Sequence, residues 1–152
     1  MAGIRREMIA TQQPILVDTS LWVRYFQPAG WEELKEELAR LLDQGSLLTC
    51  WVVKAELLVR ARNAGAFDRL LESLHALDEV ALTPEVWEGA ARLGQKLRLK
   101  GFSVPLPDLL IAQATAAAGA ELWHADAHFD RVVEASRLKA RSFVEKRGSG
   151  RS

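Results

Sequence analysis

The sequence predicts an α/β domain with a mainly parallel sheet. Short apolar runs alternate with longer segments of helical periodicity, and the clearest runs are ILVD from residue 15, SLLTC from residue 46 and ELWHA from residue 121. Runs of this kind are typical of buried parallel strands, which need helical crossovers between them. A chain of 152 residues with 49% hydrophobic and 26% charged residues fits one domain with one core.

The first half of the chain predicts two strands and four helices. After ILVD, the segment TSLWVRYF forms a short helix, and WEELKEELARLLDQG has leucines at helical spacing with Gly45 as its stop. SLLTC is the second strand. The following segment, VVKAELLVRARNAG, predicts a helix that ends near Asn63 or Gly65, and FDRLLESLHAL predicts another helix.

The second half continues the alternation. EVAL is a short strand or a connector, and Thr83 and Pro84 are a favourable cap and first residue for a helix that ends at Gly101. The proline-bounded loop FSVPLP leads into the alanine-rich helix DLLIAQATAAAGA. ELWHA is a strand, DAHFDRVVEAS a short helix and LKARSFV the last strand.

Composition and the chain ends indicate the limits of the domain and the compartment in which the protein works. We expect a flexible N-terminus at 1–13, a domain at 14–145 and a disordered tail at 146–152. No apolar run is long enough to span a membrane, and the N-terminus lacks the apolar stretch of a secretion signal. The only cysteine, Cys50, is expected to pack in the core, which fits a reducing compartment. These features predict a cytoplasmic protein.

Basic residues are unevenly distributed although the net charge is zero. One run follows Glu88 and consists of Arg92, Lys96, Arg98 and Lys100, and a second lies beyond Arg137. Two interpretations remain open: these residues are solvated surface charges, or they follow a phosphate backbone.

Four acidic residues fall where a site can form. Asp18 and Asp126 follow two predicted strands and should share one edge of the sheet, Asp108 opens the alanine-rich helix, and Glu56 lies on an otherwise apolar helix. Taken singly, Asp18 and Asp108 can be helix caps. Taken together, carboxylates that converge repel one another and require a cation, and Mg²⁺ or Mn²⁺ prefers oxygen ligands. The pattern therefore indicates a metal site that can hydrolyse phosphodiesters.

Three segments carry a resemblance to a known family: ILVDTS, KAELL and PDLLIAQATAAAGAELWHADAHFDRV. From Ile15 to Phe143 the chain resembles the PIN domain, and specifically the VapC ribonuclease toxins of bacterial VapBC toxin–antitoxin pairs. The resemblance implies an α/β/α sandwich with a mainly parallel sheet. It implies a metal-dependent endoribonuclease that acts on RNA, a VapB-like antitoxin as partner, and a homodimer.

The resemblance also implies the site residues. Asp18, Glu56, Asp108 and Asp126 match the four acids that bind one or two Mg²⁺ (or Mn²⁺) ions. Ser20 matches the hydroxyl residue that supports the first acid. Hydrolysis by water at such a site leaves 5′-phosphate and 3′-hydroxyl ends, because the 2′-hydroxyl is not the nucleophile.

Some positions depart from the family pattern or remain secondary. His124 stands where members usually carry Thr or Ser, so it can bind phosphate, perturb the metal site or simply pack. His128 stands where many members carry Asp, although His also occurs there. Asp130, one turn beyond Asp126, is a secondary candidate or a surface acid. The aromatic residues Trp22, Tyr25, Phe26 and Trp31 are expected to be mostly core, and some of them can anchor the antitoxin.

Two alternatives compete with a ribonuclease. A phosphatase of the haloacid dehalogenase type would also use an Asp at a strand end, but ILVDTS lacks its second Asp two residues further on. The other alternative is a catalytically inactive PIN-fold binding module, which the four acids disfavour.

Overall fold

A five-stranded, all-parallel sheet forms the centre of the computed structural model, which describes residues 13–144. The strands are β1 (Ile15–Val17), β2 (Leu47–Thr49), β3 (Asp78–Glu79), β4 (Glu121–His124) and β5 (Ala140–Ser142). Their order is β3-β2-β1-β4-β5, so the first strand lies in the middle. The predicted parallel sheet is confirmed, but the edge strand begins one residue before EVAL and includes only Glu79 of that segment.

Seven helices of the described residues flank the sheet in an α/β/α sandwich. They are α1 (Thr19–Tyr25), α2 (Glu32–Gln44), α3 (Trp51–Leu58), α4 (Ala64–His75), α5 (Pro84–Leu99), α6 (Leu106–Ala117) and α7 (His128–Ala135). Helices α5, α6 and α7 pack on one another, and α3 packs against α1 and α4. No helix of the described residues has the length and apolar character needed to cross a membrane.

Local sequence signals explain where several helices begin and end. The Thr83 hydroxyl accepts a hydrogen bond from the Val86 N–H at 3.3 Å, and Pro84 is the first residue of α5. Gly45 ends α2 with a φ of 68°, a left-handed conformation that favours glycine. These predicted ends are confirmed.

The prediction of one helix extending to Asn63 or Gly65 is wrong. Helix α3 ends at Leu58, and the Asn63 side chain accepts a hydrogen bond from the Ala66 N–H at 2.9 Å. Asparagine is a good residue at both helix ends, and here it begins α4 instead of ending α3. Because α3 is this short, Arg60 lies outside the helix.

The core lies between the sheet and the helices. Strand β1 is fully buried, and Cys50 is buried as predicted. Helices α5 and α6 approach closely: a Cβ atom at Gly94 would lie 2.7 Å from Leu109 Cδ1. Because Leu109 follows Asp108 in the chain, this close packing fixes the beginning of α6 and the acid that it carries.

The domain boundaries at 14–145 stay a prediction. The predicted flexible N-terminus at 1–13 and disordered tail at 146–152 lie outside the described residues, except for residue 13.

Candidate active site

A cavity of about 340 Å³ lies at the carboxyl edge of the sheet and is lined by all four predicted acids, Asp18, Glu56, Asp108 and Asp126. Asp18 follows β1 directly, and Asp126 is the second residue after β4. Asp108 lies in the first turn of α6, and Glu56 projects from α3. The two strand ends share this edge because β1 and β4 are parallel neighbours.

Asp18 is at once the cap of α1 and an acid of the cavity. Its carboxylate accepts hydrogen bonds from the Ser20 N–H at 3.0 Å and from the Ser20 hydroxyl. The residue is 4% exposed, and burial raises the pKa of its carboxyl above the usual value, although the bonds from Ser20 oppose the shift. Ser20 Oγ also accepts from the Ala125 N–H at 2.9 Å, so the predicted supporting residue joins β1 to the segment that carries Asp126.

Glu56 is oriented by a residue that the sequence reasoning missed. The Thr19 hydroxyl donates to Glu56 Oε1 at 2.8 Å, and Thr19 is itself buried at the start of α1. This bond supplies the partner that an acid on an apolar helix requires. The only signal in the sequence was Thr19, the first of the two hydroxyl residues in ILVDTS, which follows Asp18 directly.

Asp108 and Asp126 meet across the ring of His128. His128 Nδ1 lies 2.9 Å from Asp108 Oδ2 and 3.3 Å from Asp126 Oδ1. Burial raises the pKa of Asp108 to about 6, the hydrogen bond from His128 lowers it, and the nearby charges of Asp126 and Asp18 raise it further. A carboxyl with this pKa takes up a proton at a higher pH than an ordinary aspartate does.

The two secondary candidates do not line the cavity. His124 is 1% exposed, its ring centroid lies 5.0 Å from that of Phe129, and its Nδ1 accepts from the Asp126 N–H at 3.3 Å. Burial lowers the pKa of His124, which favours the neutral ring that this bond needs. Of the interpretations left open for His124, the structure supports packing. Asp130 is exposed on α7.

Arg24 and Arg60 add positive charge to the acidic cavity, which both of them line. Arg24 Nη1 donates to the Ser20 carbonyl at 2.7 Å, and its guanidinium lies 5.0 Å from the Trp31 ring centroid. Its buried Nε has no hydrogen-bond partner within residues 13–144. Arg60 makes no ion pair with Glu56 in the described part of the chain. Since Arg24 also lines the cavity, the guanidinium groups of Arg24 and Arg60 can both contact an anionic ligand.

An apolar groove of about 540 Å³ adjoins the cavity and shares Val23 and Arg60 with it. Of the four predicted aromatic residues, Trp22 is buried and Tyr25 and Trp31 are partly buried. Phe26 lines the groove and is 51% exposed. Aromatic side chains are common among the residues that contribute most to protein–protein interfaces.

The first basic run lies on α5 and makes local contacts. Arg92 is exposed and lies 3.6 Å from Glu88 on the same helix. Lys96 Nζ donates to the Ala135 carbonyl at 2.6 Å, at the carboxyl end of α7. Neither residue lines the cavity.

The donor set of the cavity fits a divalent cation. Asp108, Asp126 and His128 each offer one ligand atom, and these atoms lie within 4.8 Å of one another. Asp18 and Glu56 add two carboxylates on the same cavity. Carboxylate oxygens are the ligands that Mg²⁺ and Mn²⁺ take most readily, and a bound cation would offset the repulsion that raises the pKa of Asp108.

Comparisons with known proteins agree with this fold. Residues 15–135 match the PIN domain family. The chain is 30% identical over 121 residues to ribonuclease VapC18 of Mycobacterium tuberculosis, which covers 77% of this chain and 85% of the relative. It is also 30% identical over 139 residues to the VapC ribonuclease Mb1587 of Mycobacterium bovis, which covers 85% of this chain and 98% of the relative.

A solved structure has the same fold. The crystal structure of VapBC2 from Rickettsia felis, bound to a DNA fragment from its promoter, superposes with a TM-score of 0.70 at 19% sequence identity. The match covers 85% of this chain and 98% of that chain.

Proposed function

Because this chain belongs to the PIN domain family, we propose that it is a Mg²⁺- or Mn²⁺-dependent endoribonuclease and the toxin of a toxin–antitoxin pair. One observation carries the proposal: four carboxylates and two guanidinium groups line the same cavity. The acids suit a divalent cation, and the arginines suit the phosphates of an RNA chain. The names of the two mycobacterial relatives, both ribonucleases, support the same activity.

We assign the cation ligands to Asp18, Asp108 and Asp126, with Glu56 bound directly or through water. When bound, a divalent cation neutralises phosphate charge and lowers the pKa of a coordinated water. Ser20 and Thr19 orient Asp18 and Glu56, so that the carboxylates are in place before RNA arrives.

The residues of the chain then divide the work of hydrolysis. Glu56 is suited to accept the proton of the attacking water, because its Oε1 is fixed by Thr19 and it lines the cavity. Arg24 and Arg60 are suited to bind phosphates on either side of the bond that is cut. Attack by water breaks the bond to the 3′ oxygen and leaves 5′-phosphate and 3′-hydroxyl ends.

The test compares purified wild-type chain with Asp18→Asn on total RNA, with Mn²⁺, with Mg²⁺ and after EDTA treatment. Asp43→Asn is the matched control, because Asp43 is exposed on α2 and lies outside the cavity. Sequencing of the RNA 5′ ends should give discrete new ends for wild type and Asp43→Asn with metal only. Tight Mn²⁺ binding without any cleavage would instead favour the inactive binding module.

The groove beside the cavity is the part of the surface that we assign to a VapB-like antitoxin. An amphipathic segment could anchor an apolar residue against Phe26 and reach the cavity past Val23 and Arg60. We expect Phe26→Glu to prevent copurification with the antitoxin while RNA cleavage is retained. The homodimer that the family implies stays a prediction, which light scattering of the purified chain tests.

A further inference from the structure

The imidazole of His128 lies between two carboxylates of the site. Its Nδ1 is 2.9 Å from Asp108 Oδ2 and 3.3 Å from Asp126 Oδ1, and its side chain is 49% exposed. His128 is also fixed through the backbone, because its N–H donates to Asp126 Oδ1 at 3.0 Å and the next residue, Phe129, is fully buried. The backbone of His128 is therefore held beside the two acids.

The distances from His128 Nδ1 to the two carboxylate oxygens suit neighbouring ligands on one cation as well as they suit hydrogen bonds. With metal–ligand bonds of about 2.1 Å, adjacent ligands of an octahedral ion lie about 3 Å apart. The two distances from His128 Nδ1 to the carboxylate oxygens are close to this value. A neutral imidazole nitrogen is a common metal ligand.

We propose that His128 is a direct nitrogen ligand of the divalent cation, together with Asp108 and Asp126. The inference rests on the proposed function in so far as it assumes a cation at this site. It adds a property that four carboxylates alone would not have. Imidazole suits Mn²⁺ and later transition metals better than Mg²⁺, so His128 biases the site towards Mn²⁺.

Pulsed electron paramagnetic resonance of the full chain loaded with Mn²⁺ tests this directly, because an imidazole nitrogen bound to Mn²⁺ modulates the electron spin echo. The chain has three histidines, so each can be examined in turn. We expect nitrogen modulation in wild type and in His75→Gln, and none in His128→Asn. His75 is the matched control, because it contacts Lys54 and Trp51 and does not line the cavity.

Calorimetry adds a second readout that does not depend on RNA cleavage. His128→Asn should lower Mn²⁺ affinity by about 10-fold or more and Mg²⁺ affinity by less, so that the Mn²⁺/Mg²⁺ affinity ratio falls. Because the side chain of His128 is half exposed, we expect the variant to fold, and circular dichroism checks this.

Three outcomes would overturn the proposal. If Mn²⁺ binds to wild type without nitrogen modulation, His128 only hydrogen-bonds the acids, and the proposed ribonuclease is unaffected. Modulation that persists in His128→Asn would place a different histidine on the metal. If wild type does not bind Mn²⁺ at all, both this inference and the metal dependence of the proposed function fail.

Discussion

Ser20 donates two hydrogen bonds to the same oxygen of Asp18, one from its backbone N–H and one from its hydroxyl. The backbone bond caps helix α1, and the hydroxyl, which also accepts from the Ala125 N–H, ties the carboxylate to the segment after β4. A helix cap and a site acid are therefore the same side chain. Burial raises the pKa of Asp18, so keeping this carboxylate ionised in the cavity lowers the stability of the folded state.

The first prediction separates the two roles of Asp18. Asn caps helices as well as Asp, whereas Ala does not, so Asp18→Ala should be less stable than Asp18→Asn by about 1 kcal/mol. Both variants lose the carboxylate and should lose RNA cleavage. Urea unfolding of the EDTA-treated proteins, together with a cleavage assay, checks both statements. Equal stability of the two variants would show that the cap contributes little.

The second prediction concerns pH and Asp108. Its pKa is about 6 in the folded protein and near 3.8 in the unfolded chain, so the folded state binds the proton more tightly. The tighter binding of this proton stabilises the folded state. This stabilisation is fully present below pH 3.8 and is lost as the pH rises through about 6. Asp108→Asn has no such dependence. Without metal it should be more stable than wild type by about 2 kcal/mol at pH 7 but not at pH 4.

Urea titrations at several pH values, in EDTA, measure that difference. The comparison of wild type with Asp108→Asn measures the contribution of this carboxyl together with its coupling to His128, Asp126 and Asp18. A difference that is constant with pH would contradict the assigned pKa. Addition of Mn²⁺ should stabilise wild type by about 2.7 kcal/mol at 100 times the dissociation constant, and Asp108→Asn by less.

Much of the fold, but less of the site, was predictable from the sequence. The apolar runs and helical spacing predict the parallel sheet, and strand ends in a parallel sheet bring Asp18 and Asp126 to one edge. The bond between Thr19 and Glu56 joins residues 37 positions apart, so no local pattern encodes it. The same holds for His128 and Asp108, which are 20 positions apart and meet only because α6 and α7 pack together.

The third prediction tests Thr19 as the residue that orients Glu56. Thr19→Val keeps the shape of the side chain but removes the hydroxyl, so Glu56 loses its hydrogen bond. Loss of a hydrogen-bond partner of this kind lowers metal affinity or activity by about 10- to 100-fold. Thr19→Ser restores the hydroxyl and should recover most of the loss. If Thr19→Ser is as impaired as Thr19→Val, the methyl group and its packing matter more than the bond.

The last prediction concerns the two arginines of the cavity and the basic run on α5. Arg24 and Arg60 line the cavity, whereas Arg92 lies outside it and pairs with Glu88. Each phosphate contact adds about one unit to the slope of log affinity against log salt, or about 0.7 for single-stranded RNA. We expect each of Arg24→Gln and Arg60→Gln, added to the cleavage-deficient Asp18→Asn protein, to reduce the slope measured for RNA binding by the share of one phosphate contact. Arg92→Gln is the matched control and should leave the slope unchanged.

Arg24→Lys keeps the charge but not the forked geometry, and it should restore the slope more fully than the affinity. A loss of slope in Arg92→Gln equal to that in Arg24→Gln would mean that RNA extends from the cavity across α5, which is the interpretation of the basic run that the sequence left open.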